Sequence, residues 1–197
     1  DPASLAECAI GGNVAECAGG PRAFKYGTTR RYVLGLEAVL PTGEIIRTGG
    51  RTVKNVTGYA LTDLLVGSEG TLAIITEVIV RLVPKPVARR TFAATYGSIA
   101  GAAHAVGAIV AAGVVPATLE IIDAASLDAV ARHLGRPMAP AGTAALLLVE
   151  VDGGEAAVTD EAALAQAACR APGATSLVAA DTEAARAAVG EARRELS

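Results

Sequence analysis

The first half of the chain carries short apolar runs bounded by glycine, proline and threonine, a pattern typical of strands joined by turns. The predicted elements are strands at residues 32–40, 44–48 and 72–83 and a short helix at 59–65. Pro41-Thr42-Gly43 separates the first two strands as a tight turn, so these strands are expected to form a hairpin. In the third strand, Glu77 and Arg81 mark a partly polar face.

The second half alternates extended and helical patterns. The predicted strands are 90–96, 115–122, 143–151 and 174–180, and the predicted helices are 98–112, 123–134, 155–170 and one that begins near Thr182. Gly113 ends the first of these helices, because glycine readily adopts the left-handed conformation that terminates a helix. Strands that alternate with helices of this length predict an open sheet with helices on one face, in a ferredoxin-like layout.

The segment Pro84-Lys85-Pro86 separates a β-rich half from an alanine-rich half. Two closely spaced prolines at a change of composition are typical of a domain boundary. We therefore expect an α+β protein with two domains, at residues 1–86 and 87–197.

Composition and charge exclude several classes of function. Hydrophobic residues make up 52% of the 197 residues and charged residues 19%, which is ample material for packed cores. The formal net charge is −3 and neither sign forms a long block, so nucleic acid is not an expected partner. Strongly apolar runs are too short to predict a membrane span. Residues 1–4 lack the basic start of a secretory signal, so a cytoplasmic location is expected.

The cysteines and histidines do not form a disulfide or metal-binding pattern. Cys8, Cys17 and Cys169 lack CxxC spacing and are predicted to be free thiols. His104 and His133 have no second ligand three or four residues away, so no metal site is predicted and both are expected on helix surfaces. The sequence offers no serine–histidine–aspartate set, and the catalytic residues stay unknown. The aspartates interpreted as caps or turn residues are Asp123, Asp128, Asp152 and Asp160.

Two glycine-dense segments about fifty residues apart are the strongest candidates for chemistry. The first runs from Gly11 to Gly20 and is followed by Lys25-Tyr26-Gly27, and the second is Gly67-Ser68-Glu69-Gly70 before an apolar run. Glycine presents backbone N–H groups without a Cβ, which suits the binding of a large anionic cofactor. Each segment also has a purely structural interpretation, as a glycine-rich surface loop or as a turn that feeds an edge strand.

In order, spacing and flanking residues, these segments resemble the FAD-binding domain of the vanillyl-alcohol-oxidase (PCMH-type) flavoproteins. The resemblance is strongest to the flavin subunit of glycolate oxidase and to the D-lactate and D-2-hydroxyglutarate dehydrogenases. Residues 118–123 and 146–152 are similar to the first part of the cap domain in that family, and residues 192–194 are similar to the segment just ahead of its substrate-facing residues. The resemblance implies that residues 1–86 are the C-terminal part of a PCMH-type FAD-binding domain. It likewise implies that residues 87–197 begin a ferredoxin-like cap, and that the chain is an internal piece of a longer protein.

The resemblance implies that FAD is the cofactor. The residues that it places against FAD are Ile10, Gly11, Gly12, Asn13, Gly19, Gly20, Gly67, Glu69, Gly70 and Ile74. Lys54 also matches a family segment, and without that match a solvated lysine is the expected interpretation.

Three positions depart from the family pattern. Ala9 stands where the family usually has Ser or Thr, Cys17 where it usually has Asn, and Ala60 where it usually has Asp. Each departure removes a hydrogen-bonding group, worth about 1 kcal/mol where the bond is made. Cys17 is interpreted as an inert small residue, because nothing near it in sequence lowers its pKa.

The resemblance implies an FAD-dependent dehydrogenase that transfers a hydride from C2 of a 2-hydroxy acid, such as glycolate or D-lactate, to flavin N5. Electrons would then pass to another acceptor or a partner subunit, and the isolated chain is expected to be inactive. Three alternatives stay open. They are a non-catalytic FAD-binding subunit of a glycolate oxidase complex, another reaction of the same superfamily such as alkyl-ether-lipid synthesis, and a structural domain without a ligand.

Overall fold

The computed structural model describes residues 4–180. The chain divides into two compact units, and the boundary in sequence lies between Pro84 and Lys85. The helix predicted near Thr182 and the family-like segment at 192–194 lie outside the described residues.

The first unit is built on a three-stranded antiparallel sheet in the order β2-β1-β3. Its strands are β1 (Val33–Val39), β2 (Ile45–Gly49) and β3 (Ile74–Val80), its helices are α1 (Ile10–Ala15), α2 (Ala23–Tyr26) and α3 (Leu61–Leu65), and a 3₁₀ turn spans Thr29–Tyr32. The predicted hairpin is confirmed, with Gly43 at φ +86° and its N–H donating to the Leu40 carbonyl at 2.9 Å. The strand predicted at 72–83 is shorter because Thr71 still belongs to the preceding turn, through its N–H bond to Ser68 O.

One face of this sheet carries the core of the first unit. Leu36 and Ala38 of β1 pack with Val14 of α1 and with Leu65 and Val66 at the end of α3. The hydrophobic effect favours this burial, since each of these side chains loses most of its contact with water. The core therefore holds α1 and the segment after α3 on the same side of the sheet.

Within residues 85–180, the second unit forms a four-stranded antiparallel sheet in the order β5-β6-β4-β7. Its strands are β4 (Ala88–Tyr96), β5 (Thr118–Asp123), β6 (Ala145–Gly153) and β7 (Ser176–Ala180), and its helices are α4 (Ile99–Ala111), α5 (Ala124–Leu134) and α6 (Glu155–Arg170). Without α5, the sequence order β4-α4-β5-β6-α6-β7 with this strand order is the ferredoxin-like arrangement. The helix and strand pattern of residues 88–180 thus agrees with the sequence prediction.

The prediction that all helices lie on one face of this sheet is wrong for α5. The face covered by α4 and α6 buries Phe92, Leu147, Val149, Val151 and Val158. The opposite face, covered by α5, buries Ile122, Leu127, Val130, Leu146 and Leu148. The reason lies in β6, whose consecutive apolar residues point alternately to the two faces, so a continuous apolar run needs cover on both.

The helix ends test the interpretation of the aspartates. Asp123 caps α5 by accepting a hydrogen bond from the Ser126 N–H at 2.8 Å, as predicted. The interpretation is wrong for Asp152, which lies within β6 and is only 3% exposed, and for Asp128 and Asp160, which lie inside α5 and α6.

The three cysteines and the two histidines all lie within the described residues. The three cysteines are free thiols, and His104 and His133 are exposed on α4 and α5. Within residues 4–180, no group of histidine, cysteine and acidic residues could hold a metal ion. Across the same residues, every helix is too short or too polar to cross a bilayer.

Candidate functional site

The first glycine segment begins with a helix rather than a loop. Residues Ile10–Ala15 form α1, which contains Gly11 and Gly12. Both glycines have ordinary backbone angles, and among residues 4–180 a Cβ built on either would have no neighbour within 4 Å. Neither the local conformation nor packing against the described residues therefore requires glycine at these positions. The bare backbone faces open space beside Ile10, which is 60% exposed.

The second glycine segment is hydrogen-bonded to the end of α1. The N–H of Gly67 donates to the Val14 carbonyl at 3.0 Å, and the N–H of Glu69 donates to the Ala15 carbonyl at 2.9 Å. Val14 is fully buried, so this junction lies against the core of the first unit. The two glycine segments, which are distant in sequence, thus meet in space.

The turn at residues 67–70 owes its shape to left-handed backbone. Gly67 and Gly70 have φ values of +82° and +75°, which glycine adopts without steric penalty. Glu69 has a φ of +52° although it carries a side chain, and that side chain is exposed. Ile74, the first residue of β3, is 68% exposed and pairs with Val39.

The other predicted site residues in the first segment take part in local contacts. The side-chain amide of Asn13 donates from Nδ2 to Cys8 Sγ at 3.3 Å, and the backbone carbonyl of Asn13 accepts the Ala18 N–H at 2.8 Å. Gly19 lies against Thr28, and the carbonyl of Gly20 accepts the N–H of Ala23 at the start of α2. These contacts fold residues 13–23 into a compact bend after α1.

Cys17 lies at the centre of the junction between the segments. Its φ is +51°, its Sγ lies 3.3 Å from Thr28 Oγ1, and its Cβ lies next to Gly67. Burial raises the pKa of its thiol, but hydrogen bonds from Thr28 and Arg30 and the Arg30 charge outweigh burial and leave the pKa below its ordinary value. The interpretation of Cys17 as an inert residue therefore overlooked groups that only the fold brings to it.

Arg30 is the residue of this junction that sequence reasoning missed. Its Nη2 donates to the Val66 carbonyl at 2.7 Å and lies close to Gly67. The contact spans thirty-six positions of sequence, and no local motif surrounds Arg30 to indicate it. Only the three-dimensional fold could reveal this partner.

A cleft of about 530 Å³ lies in the same unit, between the sheet and the segment that precedes α3. Residues 51–60 are all exposed, and Tyr59 is 94% exposed. Lys54 is solvated, as its residue type alone would predict. The segment presents apolar side chains to solvent, among them Val53, Val56 and Tyr59.

Two family models match the chain. The model described as FAD linked oxidases, C-terminal domain, matches residues 85–197, and the model described as FAD binding domain matches residues 1–49. Together they cover the second unit and residues 1–49 of the first unit, and they leave residues 50–84 unmatched.

Curated relatives of the chain are named as an oxidase subunit or a dehydrogenase. The glycolate oxidase subunit GlcD of Bacillus subtilis is 47% identical over 98% of the chain, and that of Escherichia coli K12 is 40% identical over 82%. A D-lactate dehydrogenase of Archaeoglobus fulgidus is 62% identical over 39% of the chain. The matched regions make up 41%, 32% and 17% of these three proteins, so the chain spans well under half of each relative.

A solved structure shares the fold. An alkyldihydroxyacetonephosphate synthase matches the whole chain with a TM-score of 0.75 at 21% identity, over 39% of its own length. At this identity the likeness describes the fold alone, and it agrees with an arrangement of mixed helices and sheets in both units.

Proposed function

The chain belongs to the FAD-linked oxidases, and on that premise we propose that the intact protein is an FAD-dependent dehydrogenase of a 2-hydroxy acid such as glycolate or D-lactate. Relatives named glycolate oxidase subunit and D-lactate dehydrogenase support this substrate class. The chain covers only part of those proteins, so the activity is a property that we assign to the longer protein.

The junction of the two glycine segments is the observation that carries the proposal. A dinucleotide needs backbone donors that side chains do not obstruct, together with an apolar surface for its rings. Gly11, Gly12 and Gly70 leave open space where a Cβ would lie, and Ile10 and Ile74 expose apolar surface in the same unit. The residues present therefore fit FAD. Packing does not require glycine at any of these three positions, and at Gly11 and Gly12 the backbone conformation does not require it either.

The residues that we assign to FAD are the ten that the sequence indicates. They are Ile10, Gly11, Gly12, Asn13, Gly19, Gly20, Gly67, Glu69, Gly70 and Ile74. Bound FAD would supply the acceptor, at flavin N5, for the hydride that leaves C2 of the hydroxy acid. The task of these residues is to bind and orient the cofactor and to exclude water from one side of it.

We assign the second unit to the substrate cap of the same enzyme. The match of residues 85–197 to the C-terminal domain of FAD-linked oxidases supports this assignment. It also weighs against a non-catalytic FAD-binding subunit, because a subunit without a cap is not expected to match that domain. The residues that take the hydroxyl proton of the substrate stay unassigned.

The partners and location of the intact protein are part of the proposal. The word subunit in the names of the GlcD relatives supports assembly with other chains, one of which would serve as the electron acceptor or lead to it. We expect no nucleic acid partner, and a cytoplasmic location stays a prediction from the sequence.

Anaerobic reduction of the full-length protein tests the proposal. The purified protein should show the absorbance spectrum of bound flavin, and glycolate or D-lactate should bleach it, while an acid without the 2-hydroxyl, such as acetate, should not. A full-length protein that carries no flavin, or whose flavin no 2-hydroxy acid reduces, would contradict the proposal. Residues 1–197 alone, mixed with FAD and the same acids, should show no turnover.

A further inference from the structure

We propose that Arg30 is a positioning residue that clamps the two glycine segments of the FAD site together. The inference rests on the proposed function, because the segments matter for activity only if they hold FAD. No sequence pattern assigns Arg30 to the site, but its guanidinium and its neighbours contact both glycine segments.

The backbone beside Arg30 is fixed to the first glycine segment. The N–H and the hydroxyl of Thr29 both donate to the Ala18 carbonyl, at 3.0 and 2.8 Å. Arg31 closes the adjoining turn through its N–H bond to the Thr28 carbonyl at 3.1 Å. The Cα of Arg30 is therefore held beside residues 17–20 before its side chain makes any contact.

The guanidinium of Arg30 then reaches the second glycine segment. Its Nη2 donates to the Val66 carbonyl at 2.7 Å, a short bond with a charged donor, and such bonds are stronger than neutral ones. The next residue, Gly67, donates its N–H to the Val14 carbonyl of α1. Arg30 thus fixes one side of the Val66–Gly67 peptide while α1 holds the other side.

The crowding around Gly67 indicates that the guanidinium occupies a defined position. A Cβ at Gly67 would lie 3.1 Å from both Arg30 Nη2 and Cys17 Cβ, closer than such atoms normally approach. Position 67 therefore needs glycine for two reasons. Its φ is positive, and a side chain there would collide with the Arg30 guanidinium. Lysine could not replace Arg30 fully, because its single ammonium lacks the planar fork that can face Val66 and Cys17 together.

Cys17 provides a reporter of Arg30 that does not depend on flavin. Three segments surround this thiol, at residues 14–20, 28–31 and 65–70. Their charged residues are Glu16, Arg30, Arg31 and Glu69. Of these, Arg30 contributes its charge and its hydrogen bonds to the lowered pKa of Cys17, together with the hydroxyl of Thr28. Loss of the Arg30 guanidinium should therefore make the thiol less reactive at neutral pH.

The test uses the full-length protein in a Cys8→Ser background, because Cys169 is fully buried and Cys17 is then the thiol of this region that iodoacetamide reaches. The variants are Arg30→Gln, Arg30→Lys and Thr28→Val, with Arg132→Gln on the exposed surface of α5 as the matched control. The readouts are the pH profile of Cys17 alkylation and the dissociation constant of FAD, measured without substrate.

Arg30→Gln should shift the alkylation profile to higher pH and raise the FAD dissociation constant about tenfold, as expected for loss of a charged hydrogen bond. Arg30→Lys should weaken FAD binding less, and Thr28→Val should alter alkylation while it leaves FAD binding unchanged. Arg132→Gln should change neither quantity. If Arg30→Gln does not fold, the FAD dissociation constant and the alkylation profile of Arg30→Lys serve as the test instead.

FAD affinity that is unchanged in both Arg30 variants would overturn the inference, even if Cys17 alkylation shifts. A wild-type protein that binds no FAD would refute the proposed function instead. In that case the clamp would still be judged by the alkylation profile, and an unshifted profile in Arg30→Gln would refute it independently.

Discussion

At the scale of single residues, the site combines two kinds of glycine. Gly67 and Gly70 need their positive φ values for the turn, so the fold alone accounts for them. Gly11 and Gly12 lie in a helix with ordinary angles and open space around them, where alanine would fold better. We therefore propose that a ligand approaches the backbone at these two positions.

Gly12→Ala tests this distinction in the full-length protein. The substitution should raise the free energy of unfolding by about 0.5–1 kcal/mol, because alanine favours the helix, yet weaken FAD binding by roughly tenfold, because the new Cβ occupies ligand space. Gly107→Ala in α4 is the matched control, since Gly107 also has open space and an ordinary φ. It should stabilise the protein equally and leave FAD affinity unchanged. Equal FAD affinity in both variants would argue against a ligand at α1.

Titration of a single cap residue gives a second prediction at this scale. The hydrogen bond from the Ser126 N–H lowers the pKa of the Asp123 carboxylate in the folded protein below its ordinary value of 3.8. The carboxylate therefore stabilises α5 above that pH, and the contribution is lost as the pH falls through the lowered pKa. Asp123→Asn keeps a capping acceptor but does not titrate.

Urea unfolding at a series of pH values measures this difference. The stability of wild type relative to Asp123→Asn should be constant near neutrality and decline in acid below about pH 4. Glu37, whose pKa is lowered mainly by Arg47, titrates in both proteins and cancels from the comparison. A relative stability that does not change with pH would show that the cap does not depend on the charge.

At the scale of elements, β6 explains why one helix lies apart from the other two. Leu147 and Leu148 are neighbours in this strand and both are buried, on opposite faces of the sheet. A sheet with helices on one face alone would leave Leu148 in solvent. The burial of both leucines therefore depends on α5.

A pair of alanine substitutions tests the placement of α5. Leu147→Ala and Leu148→Ala should each lower the free energy of unfolding by about 2–5 kcal/mol, because each leaves a cavity in a packed core. Chemical denaturation of both variants measures the two values side by side. An effect within about 0.5 kcal/mol for Leu148→Ala, as for a surface residue, would contradict the two-faced arrangement.

Sequence patterns predicted most elements of residues 88–180, because long apolar runs and end signals such as Gly113 and Asp123 mark their bounds. They did not predict α1, since a six-residue helix with two glycines has little intrinsic helical preference. They located the two glycine segments, which resemble a known family. They could not locate Arg30 beside Val66, because that contact depends on how distant segments pack.

At the scale of the whole molecule, each unit has a distinct part in the account. The first unit contains the junction of glycine segments, and the second contains the ferredoxin-like sheet that matches the C-terminal domain of FAD-linked oxidases. The chain spans about two-fifths of the Bacillus subtilis relative. We therefore expect catalysis only from the longer protein, while the proposed cofactor contacts belong to residues 10–74.

Hydrogen exchange of the full-length protein with and without FAD tests the central claim most directly. If the two glycine segments hold one cofactor, FAD should slow exchange at the amides of both residues 10–20 and residues 67–74, with the same dependence on FAD concentration. The hairpin turn at residues 41–44 should not respond. Protection of one segment alone, or of neither while FAD is bound, would contradict the account.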